Sequence, residues 1–434
     1  MNNARLTVAL AVAVVGALVL TATAASARQR APRIPPSVEV HKGQIRVRAL
    51  PATTAPIRGY ITKAGRFPVL AVRPRGAGCE YPWYQLGPEA WACSGWLLPR
   101  RQKPTALRRL EATWRPGPFF GARTGPWKRL SFYQNLPALA RGRALRLRGT
   151  IGFEAHSRIL IRRRAYLVTR GGGLVDASHV KKYRQTGLVG VTVRHARELP
   201  LALAILQTPL YQIVRGQLRP TGKQLARYAV RAVKRLRTVG GQAVVELSGG
   251  AAVRRLDVAL AGRPPKPPVG IGAREQWVDV DLAERIVIAM RGRTPVRVML
   301  TSLGANTPAG VFRVEQKLVS KDMVQRYGVD PFFLESIPYV VFFKGDFGFH
   351  GAYWHDGFGR RLSHGCPNLG LADARFVFDW LGPRLPAGFV SVRPTKLYKG
   401  GLVRVRGRYV FRPGEARPPK KKRLPRPVGR RLRR

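Results

Sequence analysis

The clearest pattern of apolar and polar positions lies in the last third of the chain. Val278, Val280 and Leu282 alternate with polar residues, which is typical of a strand with one buried face. Short turns separate this strand from two apolar runs, at residues 286–290 and 296–300. Because runs of this length and spacing form hairpins, we predict a β-meander at the start of this region.

One short helix is predicted after these strands, over residues 371–381. Its apolar residues, which include Val377 and Trp380, repeat at helical spacing and share one face. The Gly382–Pro383 pair then ends the helix. Residues 272–395 are therefore predicted to form a mostly-β domain that contains one short helix.

Short runs of strand-forming residues, separated by glycine and proline, also fill most of the preceding chain. Those in residues 36–100 predict a small β-barrel, and a similar set in residues 199–262 indicates a possible second one. Residues 101–198 are β-rich but match no module that we can assign. A proline-rich linker at residues 262–270 separates these regions from the C-terminal domain.

The N-terminus has the layout of a secretory signal peptide over residues 1–27. Arg5 precedes an apolar run at residues 6–20, and Ala25-Ser26-Ala27 provides a small-x-small cleavage site. The run is shorter than the roughly 20 residues that a membrane-spanning helix needs. An uncleaved anchor is the alternative interpretation. We therefore expect an exported protein of the periplasm or cell envelope.

Basic residues greatly outnumber acidic ones, since 78 Lys and Arg against 22 Asp and Glu give a formal charge of +56. A field of this sign favours polyanions, although a general preference for arginine accounts equally well for the charges before the C-terminus. Residues 396–434 are predicted to be a basic, disordered tail, because proline, lysine and arginine dominate from Arg417 and cannot bury a core. We expect this tail to bind anionic envelope polymers. Export argues against a specific nucleic-acid partner.

The three cysteines divide into a pair and a single residue. In an oxidising compartment Cys79 and Cys93 can form a disulfide, because the turn residues between them allow a hairpin. Closing so short a loop contributes about 3 kcal/mol in the chain-entropy model. Cys366 is then left as a free thiol.

Cys366 ends a stretch that also contains His350, His355 and His364. A thiol needs a nearby imidazole to become a nucleophile at neutral pH, so this stretch predicts a cysteine-nucleophile active site. The residues alone leave either His350 or His364 as the general base. Their spacing fits no familiar zinc site, and we expect neither a metal nor a cofactor.

Three motifs give residues 272–395 a resemblance to a known family. They are Trp-Val-Asp-Val-Asp-Leu-Ala-Glu at 277–284, Thr-Pro-Ala-Gly-Val-Phe-Arg-Val at 307–314, and the His-Gly…Ser-His-Gly-Cys arrangement that ends at Cys366. They resemble the YkuD-type catalytic domain of L,D-transpeptidases, which are peptidoglycan enzymes. Residues 36–100 are similar to the bacterial SH3-like modules found beside cell-wall enzymes. The resemblance implies a mostly-β chain, in which small SH3-like β-barrels precede a β-sandwich catalytic domain with a short helix.

The resemblance also implies a role for each residue around the thiol. Cys366 would be the nucleophile that attacks the diaminopimelate carbonyl of a tetrapeptide stem and expels D-alanine. His350 would be the general base, oriented by the carbonyl of Gly351. Backbone amides around His364, Gly365 and Cys366 would form the oxyanion hole.

Three further positions, Ser363, Trp354 and Asn368, match residues that shape the substrate groove or order the loop. Asn368 stands where many relatives carry arginine, and Pro367 removes a backbone donor just after the nucleophile.

The acyl acceptor is left open between the amine of another stem, a lipoprotein lysine, and water, which would make the enzyme an L,D-carboxypeptidase. A non-catalytic cell-wall binding protein is the alternative from a different functional class.

Overall fold

A computed structural model describes residues 34–415, apart from residues 75, 106, 110–112, 126, 264–265 and 329. The predicted signal peptide (residues 1–27) and the end of the predicted tail (416–434) lie outside the described residues. Within this part of the chain, no helix is long and apolar enough to cross a membrane. Strands predominate over helices throughout, so the mostly-β prediction is confirmed.

The N-terminal module (residues 37–100) is built from short strands joined by tight turns. Its elements are β1 (Ser37–Val40), β2 (Ile45–Arg48), β3 (Ile57–Ile61), β4 (Arg66–Pro68), β5 (Ala71–Arg73), β6 (Trp83–Gly87), β7 (Ala90–Cys93), a 3-10 helix (Ser94–Trp96) and β8 (Leu97–Arg100). β1 pairs with β4 and β8, while β2 pairs with β3 and β7. Cys79 and Cys93 form the predicted disulfide, with Cα atoms 6.2 Å apart.

The middle module (residues 119–192) is centred on one long strand. Its elements are β9 (Phe119–Thr124), β10 (Leu130–Tyr133), α1 (Leu136–Ala140), β11 (Leu145–Leu147), β12 (Gly149–Ile161), β13 (Arg164–Thr169), β14 (Leu174–Asp176), a 3-10 helix (Ala177–His179), β15 (Lys181–Lys182) and β16 (Val191–Thr192). β12 pairs with β9 and β13, and β15 extends the sheet beyond β9. Helix α1 was not predicted. It begins where the Asn135 side chain accepts a hydrogen bond from the Ala138 amide at 2.8 Å.

The third module (residues 201–261) is a seven-stranded antiparallel sheet. A 3-10 helix (Ala196–Glu198) precedes it and another (Arg255–Asp257) lies before its last strand. Its strands are β17 (Leu201–Ala204), β18 (Thr208–Val214), β19 (Gln217–Leu225), β20 (Val230–Val239), β21 (Gln242–Leu247), β22 (Ala252–Arg254) and β23 (Val258–Ala261). The SH3-like assignments of residues 36–100 and 199–262 stay predictions.

The C-terminal module (residues 276–406) contains the predicted meander and the predicted helix. Its elements are β24 (Gln276–Asp281), β25 (Ile286–Arg291), β26 (Thr294–Leu300), β27 (Gly310–Arg313), β28 (Gln316–Gln325), β29 (Phe332–Lys344), β30 (Phe347–Gly351), β31 (Asn368–Leu369), α2 (Leu371–Trp380), β32 (Phe389–Val392) and β33 (Leu402–Arg406). β24, β25 and β26 form successive antiparallel pairs, which confirms the meander. Helix α2 ends one residue before the predicted limit.

Two sheets of this module enclose its main core. One contains β24 to β27 with β33, and the other contains β28, β29, β30 and β32. Val280 of the first sheet, Val341 of the second and Val377 of α2 belong to one buried cluster. The core therefore holds the hairpin of β29 and β30 against the helix, and this hairpin carries His350.

Strand β24 is buried on both faces, so the prediction of one exposed face was wrong. Asp279, which occupies a polar position in the alternation, is only 1% exposed. Its carboxylate accepts hydrogen bonds from Arg404 and from Arg406, the latter at 2.7 Å. These ion pairs compensate for the loss of hydration and allow a charged side chain inside the fold.

The predicted domain limit at residue 395 was also wrong, because β33 lies inside the sheet. β33 pairs in parallel with β24 and antiparallel with β27. Beyond it, Glu415 binds Arg285 at 2.7 Å, and the Arg285 side chain is fully buried. Apolar residues of β33 such as Val403 are buried, so this part of the predicted tail of residues 396–434 belongs to the folded domain.

The sheet of β28–β30 continues into two other modules. β3 pairs antiparallel with β32, with Gly59 opposite Val392. β12 pairs in parallel with β29, with Ile151 opposite Phe333. Backbone hydrogen bonds thus join the N-terminal and middle modules to the C-terminal module, so the surroundings of the hairpin include residues from all three.

We predict that Gly59→Ala destabilises the protein. A Cβ atom at Gly59 would lie 2.2 Å from the Ser391 carbonyl oxygen, so β3 and β32 would have to separate. We expect a loss of about 1–3 kcal/mol, measured as a lower midpoint of thermal unfolding. Gly87→Ala is the control, since its Cβ would lie at an ordinary 3.7 Å from Ala90. Equal midpoints for the two variants would contradict the tight β3–β32 contact.

Candidate active site

A short parallel strand pair brings Cys366 close to His350. β30 and β31 pair with His350 opposite Asn368 and Gly351 opposite Leu369. Paired strands lie about 4.8 Å apart, and Cys366 is only two residues before Asn368. Both side chains line one cavity of about 140 Å³, so the structure brings together the predicted thiol and imidazole.

His350 is buried, with 3% of its surface exposed. Its ring stacks on Trp354 with centroids 5.7 Å apart, which fixes the ring plane. Burial lowers the pKa of His350 to about 4, and the neighbouring backbone of Gly351 opposes this shift in pKa. Nδ1 makes no well-formed hydrogen bond within the described part of the chain. The ring is therefore neutral at pH 7 and free to accept a proton.

Cys366 is a free, partly buried cysteine. Its thiol donates to the carbonyl oxygen of Asp346, with the sulfur 3.3 Å from that oxygen. Burial raises the pKa of Cys366 to about 11. The Gly348 backbone amide lowers this pKa and the nearby Asp346 carboxylate raises it. With both groups neutral, the resting site holds a thiol–imidazole pair, and the proton has to move when the sulfur attacks an electrophile.

The loop that ends at Cys366 is held by hydroxyl groups. Ser363 Oγ donates to the Cys366 carbonyl at 2.6 Å and accepts from the Gly365 amide at 3.0 Å. Thr307 Oγ1 lies 2.6 Å from the Gly365 carbonyl and 2.8 Å from the Gly304 carbonyl. The Gly365 amide is therefore already engaged, and the amides of His364 and Cys366 are the better candidates for an oxyanion hole.

Gly304 supports the same loop from behind, and the sequence did not single it out. A Cβ at Gly304 would lie 2.3 Å from the His364 carbonyl carbon and 2.5 Å from the Gly365 nitrogen. Only a residue without a side chain fits here. Thr307 belongs to the motif at residues 307–314, and in the structure its hydroxyl fixes the loop backbone.

Asn368 is buried, with 2% of its surface exposed, and it lines the cavity that contains Cys366. Its Nδ2 donates to His355 Nε2 at 3.0 Å, and its backbone pairs with Ser302. Burial first, and then the nearby His350, lower the pKa of His355 to about 4, so this ring is a neutral acceptor. These hydrogen bonds fit the loop-ordering role of Asn368. The sequence did not single out Ser302, and it indicated His355 only as a member of the histidine-rich stretch.

His364 takes up a different position from His350. Its side chain is 53% exposed, and Nε2 lies 3.6 Å from the Asp330 carboxylate. Its ring also lies against Phe332, with centroids 5.5 Å apart. Both histidines line the cavity. Because His350 is buried there while His364 is half exposed and faces an acidic partner, the geometry favours His350 as the base. Trp354 and Ser363 line the same cavity as the thiol.

Neighbouring modules hold the segment between β30 and β31. Tyr353 stacks on Phe119 of the middle module, with centroids 3.9 Å apart. Asp356 forms an ion pair with Arg227 of the third module at 3.0 Å. Among the residues that the structure describes, no group of three His, Cys, Asp or Glu side chains is arranged to hold a metal ion.

We predict that alkylation of Cys366 by iodoacetamide accelerates about tenfold per pH unit from pH 7 to pH 10, because only the thiolate reacts. The cause is the raised thiol pKa of about 11. The control is the denatured protein with its disulfide intact, in which the rate should level off above about pH 8.5. A plateau below pH 7 in the folded protein would instead indicate a thiolate–imidazolium pair.

We predict that Thr307→Val loosens the loop, because it leaves the Gly365 carbonyl without its hydroxyl partner. The expected loss is about 1–3 kcal/mol, with faster amide hydrogen exchange in peptides that cover residues 363–366. Thr307→Ser keeps the hydroxyl and should retain slow exchange. Fast exchange in the serine variant as well would show that the methyl group, rather than the hydrogen bond, orders the loop.

Comparison with known proteins identifies this region. Residues 275–398 match the family model of the YkuD L,D-transpeptidase catalytic domain. No curated protein sequence matches the chain.

Solved structures give only a distant likeness. An L,D-transpeptidase (Yku) from Stackebrandtia nassauensis is 20% identical, with 32% of this chain and 58% of that chain covered and a TM-score of 0.24. An L,D-transpeptidase from Mycobacterium smegmatis is 20% identical, with 40% of this chain and 77% of that chain covered and a TM-score of 0.25. L,D-transpeptidase 1 from Mycobacterium tuberculosis is 20% identical, with 40% of this chain and 86% of that chain covered and a TM-score of 0.25. The family match, rather than these low scores, identifies residues 275–398 as a YkuD-type L,D-transpeptidase catalytic domain.

Proposed function

We propose that this protein is a cysteine-dependent L,D-transpeptidase that acts on peptidoglycan stem peptides. The observation that carries the proposal is the position of Cys366 and His350 in one small cavity, within a domain of this family. A buried neutral imidazole beside a thiol can accept the thiol proton as the sulfur attacks a carbonyl. The Cys79–Cys93 disulfide is compatible with an exported enzyme of the cell envelope.

The first half-reaction forms an acyl-enzyme. His350 accepts the proton of Cys366 while the sulfur bonds to the diaminopimelate carbonyl carbon of a tetrapeptide stem. The carbonyl oxygen becomes an oxyanion, which the backbone amides of His364 and Cys366 stabilise. Collapse of this intermediate breaks the bond to D-alanine, and the leaving amine takes the proton from His350. A thioester between Cys366 and the stem remains.

The second half-reaction transfers the stem to an acceptor. An amine attacks the thioester carbonyl and gives its proton to His350, which returns a proton to the Cys366 sulfur as that bond breaks. An amine of another stem gives a cross-link, a lipoprotein lysine gives a protein tether, and water gives a carboxypeptidase product. The basic tail is proposed to hold the enzyme on anionic envelope polymers.

We predict that a carbapenem acylates Cys366 in the wild-type protein and that Cys366→Ala abolishes the adduct, as measured by the mass of the intact protein. His350→Ala should slow acylation by about 10²-fold or more, because general-base assistance is lost. His41→Ala changes an exposed histidine of the N-terminal module and should leave the rate unchanged. The same variants should be assayed with a tetrapeptide stem, with released D-alanine as the readout.

Two outcomes would contradict the proposal. A wild-type protein that forms no adduct at Cys366 and releases no D-alanine would leave only non-catalytic binding to the cell wall. An unchanged acylation rate in His350→Ala would exclude His350 as the base and direct attention to His364.

A further inference from the structure

A larger cavity lies directly beside the one that contains Cys366. Its volume is about 760 Å³, and its walls come from the middle module on one side and from the loop before Cys366 on the other. We call it the cationic cavity, because its lining includes Arg123, Lys128, Arg129 and Lys181 of the middle module. A volume of this size is typical of sites that take small organic ligands or peptides.

The pairing of β9 with β15 directs two of these basic residues into the cavity. Lys181 lies opposite Gly121 in this antiparallel pair. Because side chains alternate between the faces of a strand, Arg123 projects on the same face as Gly121 and Lys181. Tyr183 supports this face, since its hydroxyl donates to the Ile151 carbonyl at 2.9 Å. The positive charges are therefore carried by a sheet that the fold holds in place.

The cationic cavity is continuous with the catalytic cavity. Trp354, Ser363 and His364 line both of them, as do Thr150 and Asp330. A peptide with its carbonyl at the Cys366 sulfur can thus extend past Trp354 into the cationic cavity. The middle module supplies residues to the wall of a site whose nucleophile belongs to the C-terminal module.

The positive charges that the middle module contributes to this cavity have no ion-pair partner in the described part of the chain. Arg123, Lys128, Arg129 and Lys181 form no ion pair with any described residue, and all four are exposed. Asp330 is the one acidic residue among the described lining residues, and it lies 3.6 Å from His364. Neighbouring like charges repel each other, and an anionic ligand would relieve this repulsion.

We propose that the cationic cavity binds carboxylates of the stem peptide whose carbonyl is presented to Cys366. This inference rests on the proposed function and adds a substrate subsite formed by the middle module. Guanidinium and ammonium groups form charge-assisted hydrogen bonds with carboxylates. We assign the cavity to the peptide rather than to a phosphate-bearing wall polymer because it opens onto the nucleophile, where the peptide has to lie.

The test is a binding measurement on full-length Cys366→Ser, which cannot form the thioester. Calorimetric titrations would compare a tetrapeptide stem that has free carboxylates with the same peptide in which they are amidated. The Arg123→Gln/Lys181→Gln variant should bind the free-acid peptide about fivefold more weakly and the amidated peptide unchanged. The difference between the peptides should shrink when salt is raised from about 0.05 M to 0.5 M.

The matched control is Arg219→Gln/Lys223→Gln, which removes the same charge from exposed positions of the third module. This variant should retain the preference of the parent protein for the free-acid peptide. Equal binding of both peptides by the parent protein would overturn the inference. An equal loss of affinity for the free-acid peptide in both double variants would also overturn it, because it would indicate only an effect of the overall positive charge. Failure of the parent to bind either peptide would overturn it too.

Two additional measurements separate this inference from the proposed function. If the peptide binds as expected but wild-type Cys366 is never acylated, then the proposed function fails while the subsite stands. A teichoic-acid polymer should bind the Arg123→Gln/Lys181→Gln variant and the control variant equally. If the polymer, and not the peptide, discriminates between the variants, then the cavity is a phosphate site and the inference is wrong.

Discussion

The parallel pairing of β30 with β31 is the constraint on which the active site depends. It fixes His350 opposite Asn368 and closes the intervening segment into a loop, so that Cys366 returns to the side of His350. The Asn368 backbone is bound in turn to Ser302, and Thr307 holds the Gly365 carbonyl. Because the loop is fixed by backbone pairs and hydroxyl groups, the thiol and imidazole are positioned without an ion pair between them.

The neutral state of this pair follows from its enclosure. Burial disfavours the charged form of both groups, which raises the pKa of Cys366 to about 11 and lowers the pKa of His350 to about 4. Charge then appears only during reaction, when the sulfur attacks and an oxyanion forms beside fixed amides. Such a site protects the thiol from random oxidation, since the reactive thiolate is rare in the resting enzyme.

Continuity of the sheets explains why the other modules matter to this site. β12 pairs with β29, which precedes the strand that carries His350, and Phe119 stacks on Tyr353, three residues after His350. Acidic side chains such as Asp279 are committed to buried ion pairs. In contrast, four basic residues of the cationic cavity form no ion pair with any described residue, namely Arg123, Lys128, Arg129 and Lys181. Part of the excess positive charge of the chain is thus concentrated where the middle module faces the catalytic loop.

The sequence by itself determined the mostly-β class, the meander, the helix after Cys366, the disulfide and the association of a thiol with histidines. Those features depend on short-range periodicity and on a few rare residue types, both of which can be recognised from the sequence alone. Tertiary structure decided which histidine is enclosed, that Asp279 is buried against Arg404 and Arg406, and that β33 belongs to the fold. It also decided that Gly304 and Thr307 support the loop and that the middle module adjoins the nucleophile. These depend on pairings between distant strands, for which local pattern carries no information, because any exposed strand edge offers the same backbone groups.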